Sequence, residues 1–134
     1  MKIRDVEFDD IHDVHELVSE CCTGTAASCV KILDKCVKSF VAEDKGVIVG
    51  FVQLDLRHTT YTGAEITYLC SKYGNLSTYI ELLRWVSYLC NESVYISISK
   101  LRNPTDVLRF ALSESGFAKS DSIIYVKRRE INTT

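Results

Sequence analysis

Apolar and polar side chains alternate over residues 3–8, with Ile3, Val6 and Phe8 set against Arg4 and Glu7, the two-residue period of a half-buried strand. Asp9 or Asp10 then caps a helix whose Ile11, Val14, Leu17, Val18 and Cys21 share one face. Thr23-Gly24-Thr25 breaks it, and a second helix over 26–37 presents Cys29, Val30, Ile32, Leu33 and Cys36. Strands over 39–43 and 47–56 follow, joined by Asp44-Lys45-Gly46, whose glycine accepts positive φ. The second of them alternates Val52, Leu54 and Leu56 with Gln53 and Asp55, which predicts one apolar and one polar face.

After a polar connection, residues 64–70 read as a further strand. A long helix over 78–90 places Tyr79, Leu82, Leu83, Val86, Leu89 and Cys90 on one stripe, with Thr78 and Glu81 spaced for a capping box. Residues 93–99 alternate cleanly, Val94, Ile96 and Ile98 inward against Ser97 and Ser99. Asn103-Pro104 has the order of a helix cap and first-turn proline, and Gly116-Phe117 ends that helix. A closing strand spans 123–127, with a small extra strand at 117–119. The order β-α-α-β-β-β-α-β-α-β predicts an α/β (α+β) fold: a mixed sheet of six or seven strands flanked by about four helices.

The 134 residues suit one domain, 1–134, with enough buried surface for a core that needs no metal or disulfide. Sixteen basic and eighteen acidic residues leave a net charge of −2, which argues against a broad nucleic-acid-binding field. No run approaches the roughly 18 apolar residues of a membrane span, and the first residues lack the apolar stretch of a signal peptide. The six cysteines, at positions 21, 22, 29, 36, 70 and 90, contain no C-x-x-C pair. They read as small hydrophobes of a reduced, cytoplasmic protein, with Cys22 alone lacking a place on an apolar face. His12 and His15, with Asp9, Asp13 and Glu16, read as a solvated helix face rather than a metal site.

The order of elements resembles the GNAT superfamily of acyl-CoA-dependent N-acyltransferases. Residues 3–11 look like that family's first strand and helix, residues 40–51 like its second hairpin, residues 64–69 like its fourth strand, and Gly116-Phe117 like the end of its last helix. The family's pyrophosphate signature, Q/R-x-x-G-x-G/A, falls on residues 71–78. With Gly74 as its first glycine, Ser71 replaces Gln/Arg and Leu76 replaces the second glycine; in the alternative frame Ser77 and Tyr79 take the glycine positions. Where the family often places a catalytic tyrosine, four residues before the terminal glycine, this chain has Leu112, which cannot protonate a thiolate.

The resemblance implies acetyl-CoA as cofactor and no metal. Leu69, Cys70 and Ser71 would hold its pantetheine arm, and Gly74, Asn75, Ser77 and Thr78 its pyrophosphate at a helix start. Glu65 matches an acidic residue that some members use near the acceptor amine, and Tyr95, among Tyr61, Tyr68 and Tyr73, would serve as acid. The function implied is transfer of an acetyl group to an amine of a small molecule or protein, by a monomer or homodimer. Residues 94–117 also resemble the C-terminal half of ornithine decarboxylase antizyme, through Val94, Tyr95, Ile96, Ile98, Lys100, Arg102, Leu108, Ser113, Gly116 and Phe117. That resemblance implies the alternative: an inactive protein of the same fold that acts by binding another protein.

Overall fold

Strand alternation survives at one end of the sheet and disappears in its centre, because the central strands are covered on both faces. The computed structural model describes residues 1–22, 31–32, 34–58, 62–98, 106–120 and 124–129. Strand β1 (Lys2–Asp5) leads through a 3₁₀ turn at Phe8–Asp10 into helix α1 (Ile11–Cys21). Strands β2 (Val37–Asp44), β3 (Val47–Asp55) and β4 (Ala64–Ser71) precede helix α2 (Leu76–Leu89). Strand β5 (Val94–Ser97), helix α3 (Asp106–Glu114) and strands β6 (Ala118–Lys119) and β7 (Ile124–Lys127) complete the order. The seven strands form one mixed sheet, β1-β2-β3-β4-β5-β7-β6, in which only β4 and β5 run parallel.

Two apolar layers sandwich this sheet. On one face α2 and α3 pack over Phe40, Val52, Leu54, Ile66, Leu69, Val94 and Ile96. On the other, α1 packs Val14, Leu17 and Val18 over Val41, Phe51, Tyr68 and Cys70. β3 therefore buries both sets of side chains, Gln53 and Asp55 included, against the expectation of a polar outer face. The burial is possible because the polar groups are met. Gln53 Nε2 donates to Lys31 O (3.0 Å) and Ser39 Oγ (3.1 Å), and Thr67 Oγ1 donates to Gln53 Oε1 (3.0 Å). Asp55 accepts from Arg57 Nη2 at 2.7 Å. Leu56, expected inside, is 38% exposed where β3 has already ended.

The remaining departures are local. The helix expected over 26–37 is not seen where the chain is described: Ile32, Lys35 and Cys36 lie in turns, Lys31 and Asp34 have no regular structure, and Val37 already belongs to β2. Residues 26–30 and 33 of that prediction lie outside the described residues, as do Asn103 and Pro104. The β2–β3 turn is tighter than expected, with Lys45 (φ 52°) and Gly46 (φ 81°) forming a two-residue hairpin turn of the kind that matches strand twist. Helix α3 ends as its sequence suggested. Gly116 adopts φ 87°, Phe117 N–H donates to Leu112 O (2.9 Å) and Gly116 N–H to Ser113 O (3.1 Å), the paired closure of a left-handed C-cap. Cys22, expected to have no core role, is buried beneath α1, while Cys36, expected on an apolar face, is exposed.

Candidate active site

The parallel register between β4 and β5 is short. It pairs Ala64 with Val94, Glu65 with Tyr95 and Ile66 with Ile96, whereas β4 continues for five more residues, to Ser71. A bulge lies where the strands part: β3 pairs Gln53 with Tyr68 but Leu54 with Ile66, so Thr67 is the extra residue. The Thr67 Oγ1 bond to Gln53 Oε1 secures that bulge from β3. The β4–β5 pairing thus ends at a vertex just past Glu65 and Tyr95, beyond which β4 runs on without β5 to the β4–α2 loop. A bulge has no composition of its own, so this feature has no sequence signal.

The expected catalytic pair comes together by register. Val94 and Ile96 point into the layer beneath α2 and α3, so Tyr95, and Glu65 opposite it, face the other side of the sheet. Both are half-buried. The Tyr95 ring lies against Gly63, with Cε2 3.1 Å from where a Cβ would project, so Gly63 leaves the space that ring occupies. Of the other tyrosines weighed as acids, Tyr68 is buried under α1, Tyr73 is almost fully exposed, and Tyr61 lies outside the described residues. Leu112 is sealed in the core.

Leu69, Cys70 and Ser71 lie on the arm of β4 that extends past β5, with all three side chains buried. Ser71 Oγ donates to Asn75 O at 3.0 Å, tying the loop ends together. Between them Tyr73 (φ 59°) and Gly74 (φ 61°) both turn left-handed, and a Cβ at Gly74 would meet nothing within 4 Å. Gly74 is thus needed for its backbone angle and borders open space. Asn75, not Thr78, caps α2, accepting from Thr78 N–H through Oδ1 at 3.2 Å. The capping box expected from Thr78 and Glu81 is accordingly absent. Thr78 is the third helical residue and is buried, while Ser77, the second, is exposed.

A groove of about 630 Å³ runs beside this helix start, lined by Lys45, Val49, Lys72, Asn75, Ser77 and the N-terminal Met1 among others. Leu76 and Ser77 carry first-turn N–H groups, which an α-helix leaves without internal acceptors, and Lys45 and Lys72 add positive charge. Asp44 also lines the groove, so the positive field offered to an anion such as a pyrophosphate is that of the two lysines and the helix start set against one carboxylate. The second glycine of the family signature is missing, so close approach along the whole loop is not provided for. Lys45 and Met1 were not expected in the site; the hairpin turn and the paired β1 bring them there.

The Glu65–Tyr95 pair and the loop are separated along β4 by five residues from Glu65 to Cys70, roughly 16 Å of strand. An extended acyl carrier can span that length, anion at the loop and reactive end at the vertex. Among the described residues no His, Cys, Asp or Glu group is arranged to hold a metal ion, and no helix is long and apolar enough to cross a membrane. His12 and Glu16 form an exposed pair at 3.3 Å.

Comparison with known proteins shows the same architecture in GNAT-fold acetyltransferases. An aminoglycoside 6'-acetyltransferase type Ii superposes with a TM-score of 0.76 at 13% identity, covering 99% of this chain and all of the other. The aminoglycoside 6'-N-acetyltransferase from Enterococcus faecium gives 0.68 at 13% identity with full coverage of both chains. The PaiA N-acetyltransferase from Thermoplasma acidophilum, in complex with coenzyme A, gives 0.61 at 15% identity, covering 95% of this chain and 98% of the other. No protein-family model matches the chain, and no curated protein sequence does. The fold is that of the GNAT acetyltransferases.

Proposed function

We propose that this GNAT-fold chain is an N-acetyltransferase that moves an acetyl group from acetyl-CoA to an amine of a small molecule or protein. The parting of β4 and β5 after Ile66 and Ile96, with a helix N-terminus at the end of the longer arm, is the observation that carries this reading. Coenzyme A in the PaiA complex adds support by analogy of fold. Bound at the groove, acetyl-CoA supplies a thioester carbonyl open to attack by an amine.

The chain's own part is positioning and proton handling. Backbone groups of Leu69, Cys70 and Ser71 would align the pantetheine arm as an added strand, and Gly74, Asn75, Ser77 and the buried start of α2 at Thr78 would hold the phosphates. Alignment of two reactants is worth much of such a barrier, because the amine is itself a good nucleophile once deprotonated. Glu65 would accept the amine proton directly or through water, and Tyr95, its register partner, would donate to the departing thiolate.

Titration with acetyl-CoA tests the reading. A micromolar ligand at millimolar concentration stabilises the folded state by about 4 kcal/mol, a clear rise in melting temperature, and gives measurable heat by calorimetry. Ser77→Glu is expected to abolish the shift. A glutamate in the first turn of α2 favours the helix dipole while repelling an anion, so loss of binding would not come from loss of folding. No shift and no heat for the wild-type chain would overturn the proposal. It would favour the second reading, an inactive binding protein resembling antizyme, which the missing second glycine and the core position of Leu112 support. Monomer and homodimer are both compatible with the proposed chemistry.

A further inference from the structure

β4 carries a spacing that an unbroken strand cannot hold. Ile66 and Leu69 both lie in the layer under α2 and α3, three positions apart, and Glu65 and Tyr68 share the opposite face at the same interval. Side chains of a regular strand return to one face every second residue, so one residue must be passed over between them. That residue is Thr67, which among the described residues has a register partner in neither β3 nor β5.

Outside the ladder, Thr67 is held by its side chain. Its hydroxyl donates to Gln53 Oε1 at 3.0 Å, with the Gln53 backbone oxygen 3.3 Å away. Gln53 is 3% exposed, and its Nε2 donates to Lys31 O (3.0 Å) and Ser39 Oγ (3.1 Å). Ser39 Oγ donates in turn to Ile32 O at 3.1 Å, and Ile32 packs in the α1 layer. One buried amide thus fixes the bulge, β2 and residues 31–32 together, with each polar atom of its side chain met.

We propose that Gln53 and Thr67 are positioning residues for the acyl carrier: their hydrogen bond sets the course of β4 beyond β5, and with it the line along which the pantetheine arm docks. The proposal rests on the acetyl-CoA reading above. The bulge stands between the two parts which that reading needs in fixed relation, Glu65 beside Tyr95 at one end and the main chain of Leu69, Cys70 and Ser71 at the other. A slip of one residue at Thr67 would turn either Glu65 or the arm to the wrong face. Apolar side chains at both positions could fill the same space, but only a directional bond selects one register. Neither residue lines the groove at the start of α2, so their effect falls on the arm and not on the phosphates.

Calorimetric titration with two probes separates arm from phosphates: acetyl-CoA, and its nucleotide portion alone, adenosine 3′-phosphate 5′-diphosphate. Thr67→Val keeps the branched shape and loses the donor. It is expected to weaken acetyl-CoA about tenfold, while binding of the nucleotide stays within about twofold of wild type. Thr67→Ser, which keeps the hydroxyl, should hold acetyl-CoA affinity within about threefold of wild type. Gln53→Met is the second variant. Both changes break the same bond, so the double variant should bind acetyl-CoA no more weakly than Gln53→Met alone. A cooperative melt confirms folding of each. Unchanged acetyl-CoA binding in Thr67→Val, equal weakening of both probes, failure of serine to preserve affinity, or additive losses in the double variant would each overturn the proposal and leave the acetyl-CoA reading standing. A wild-type chain that binds neither probe would overturn both.

Discussion

Asp10→Ala is expected to lower the unfolding free energy by about 3 kcal/mol, read from urea denaturation at neutral pH. Asp10 is buried at the start of α1 and its two carboxylate oxygens accept from Arg4 Nη1 (2.7 Å) and Nη2 (3.0 Å). Oδ2 also accepts from the Glu7 backbone N–H at 2.7 Å, closing the turn between β1 and α1. Arg4 reaches on to Glu43 on β2 at 3.2 Å, so one guanidinium links β1, β2 and the helix start. Removing Asp10 strands that guanidinium with half its partners. The loss sits at the low end for a buried pair because the Arg4 side chain keeps 21% of its exposure.

The same pair gives a pH dependence. Hydrogen bonding from Arg4 holds the Asp10 carboxyl below its ordinary value, against the opposing effect of burial and with help from the Glu7 N–H. A depressed folded-state value means the contribution is full above the unfolded carboxylate range, near 4, and is lost as pH falls through the lower folded value. Stability of the wild-type chain should therefore drop on acidification below about pH 4, with a shallower slope in Asp10→Asn. A variant within 1 kcal/mol of wild type at pH 7, with an unchanged acid slope, would refute the role given to this cluster.

The second large effect concerns α2. Leu82→Ala is expected to cost about 3–4 kcal/mol, since the side chain is fully buried in the larger apolar layer and the gap it leaves is walled by a sheet. At roughly 4 °C per kcal/mol for a chain this size, the melting temperature falls by about 12–16 °C. The packing beneath it is close. A Cβ on Gly50 would sit 3.0 Å from Leu82 Cδ1 and 2.6 Å from Thr78 Cγ2, so the helix rests almost on the β3 backbone. Tyr88, on the same helix but 85% exposed, is the control, and its alanine variant should stay within about 0.5 kcal/mol. Equal effects at the two positions would mean that α2 is not anchored as described.

The elements that were legible in the sequence are those whose periodicity one environment dictates. α2 reads from its stripe because one face meets the sheet and the other meets water; β5 reads from Val94 and Ile96 for the same reason. β3 misled because covering both faces makes Gln53 and Asp55 core residues, and only their partners on Ser39, Thr67 and Arg57 make that tolerable. The cap of α2 was misplaced by one turn, since Asn75 and Thr78 both suit the position and only the geometry of the Ser71–Asn75 loop decides. In the site, Glu65 was named from resemblance and Tyr95 as one of several tyrosines able to serve as acid, and their adjacency is a matter of register that no single strand contains. The vertex at Thr67, the lysine from the hairpin and the meeting of Cys22 with Cys70 arise from pairing over long separations, which leaves no local trace.

The one parallel seam also shapes how the chain must fold. Asp44 and Val47 meet across a hairpin three positions apart, whereas Ala64 and Val94 meet across thirty, with all of α2 between them. Loop-closure entropy grows with that separation, and three residue pairs return little for it until α2 has condensed on the sheet. The antiparallel half, β1 to β4, can assemble from neighbouring segments; the half made of β5, β7 and β6 joins it late. The opening proposed to receive an acyl carrier is thus also the line along which two separately assembled pieces of sheet are stitched, and its narrowness is a cost in folding rate accepted for a cleft.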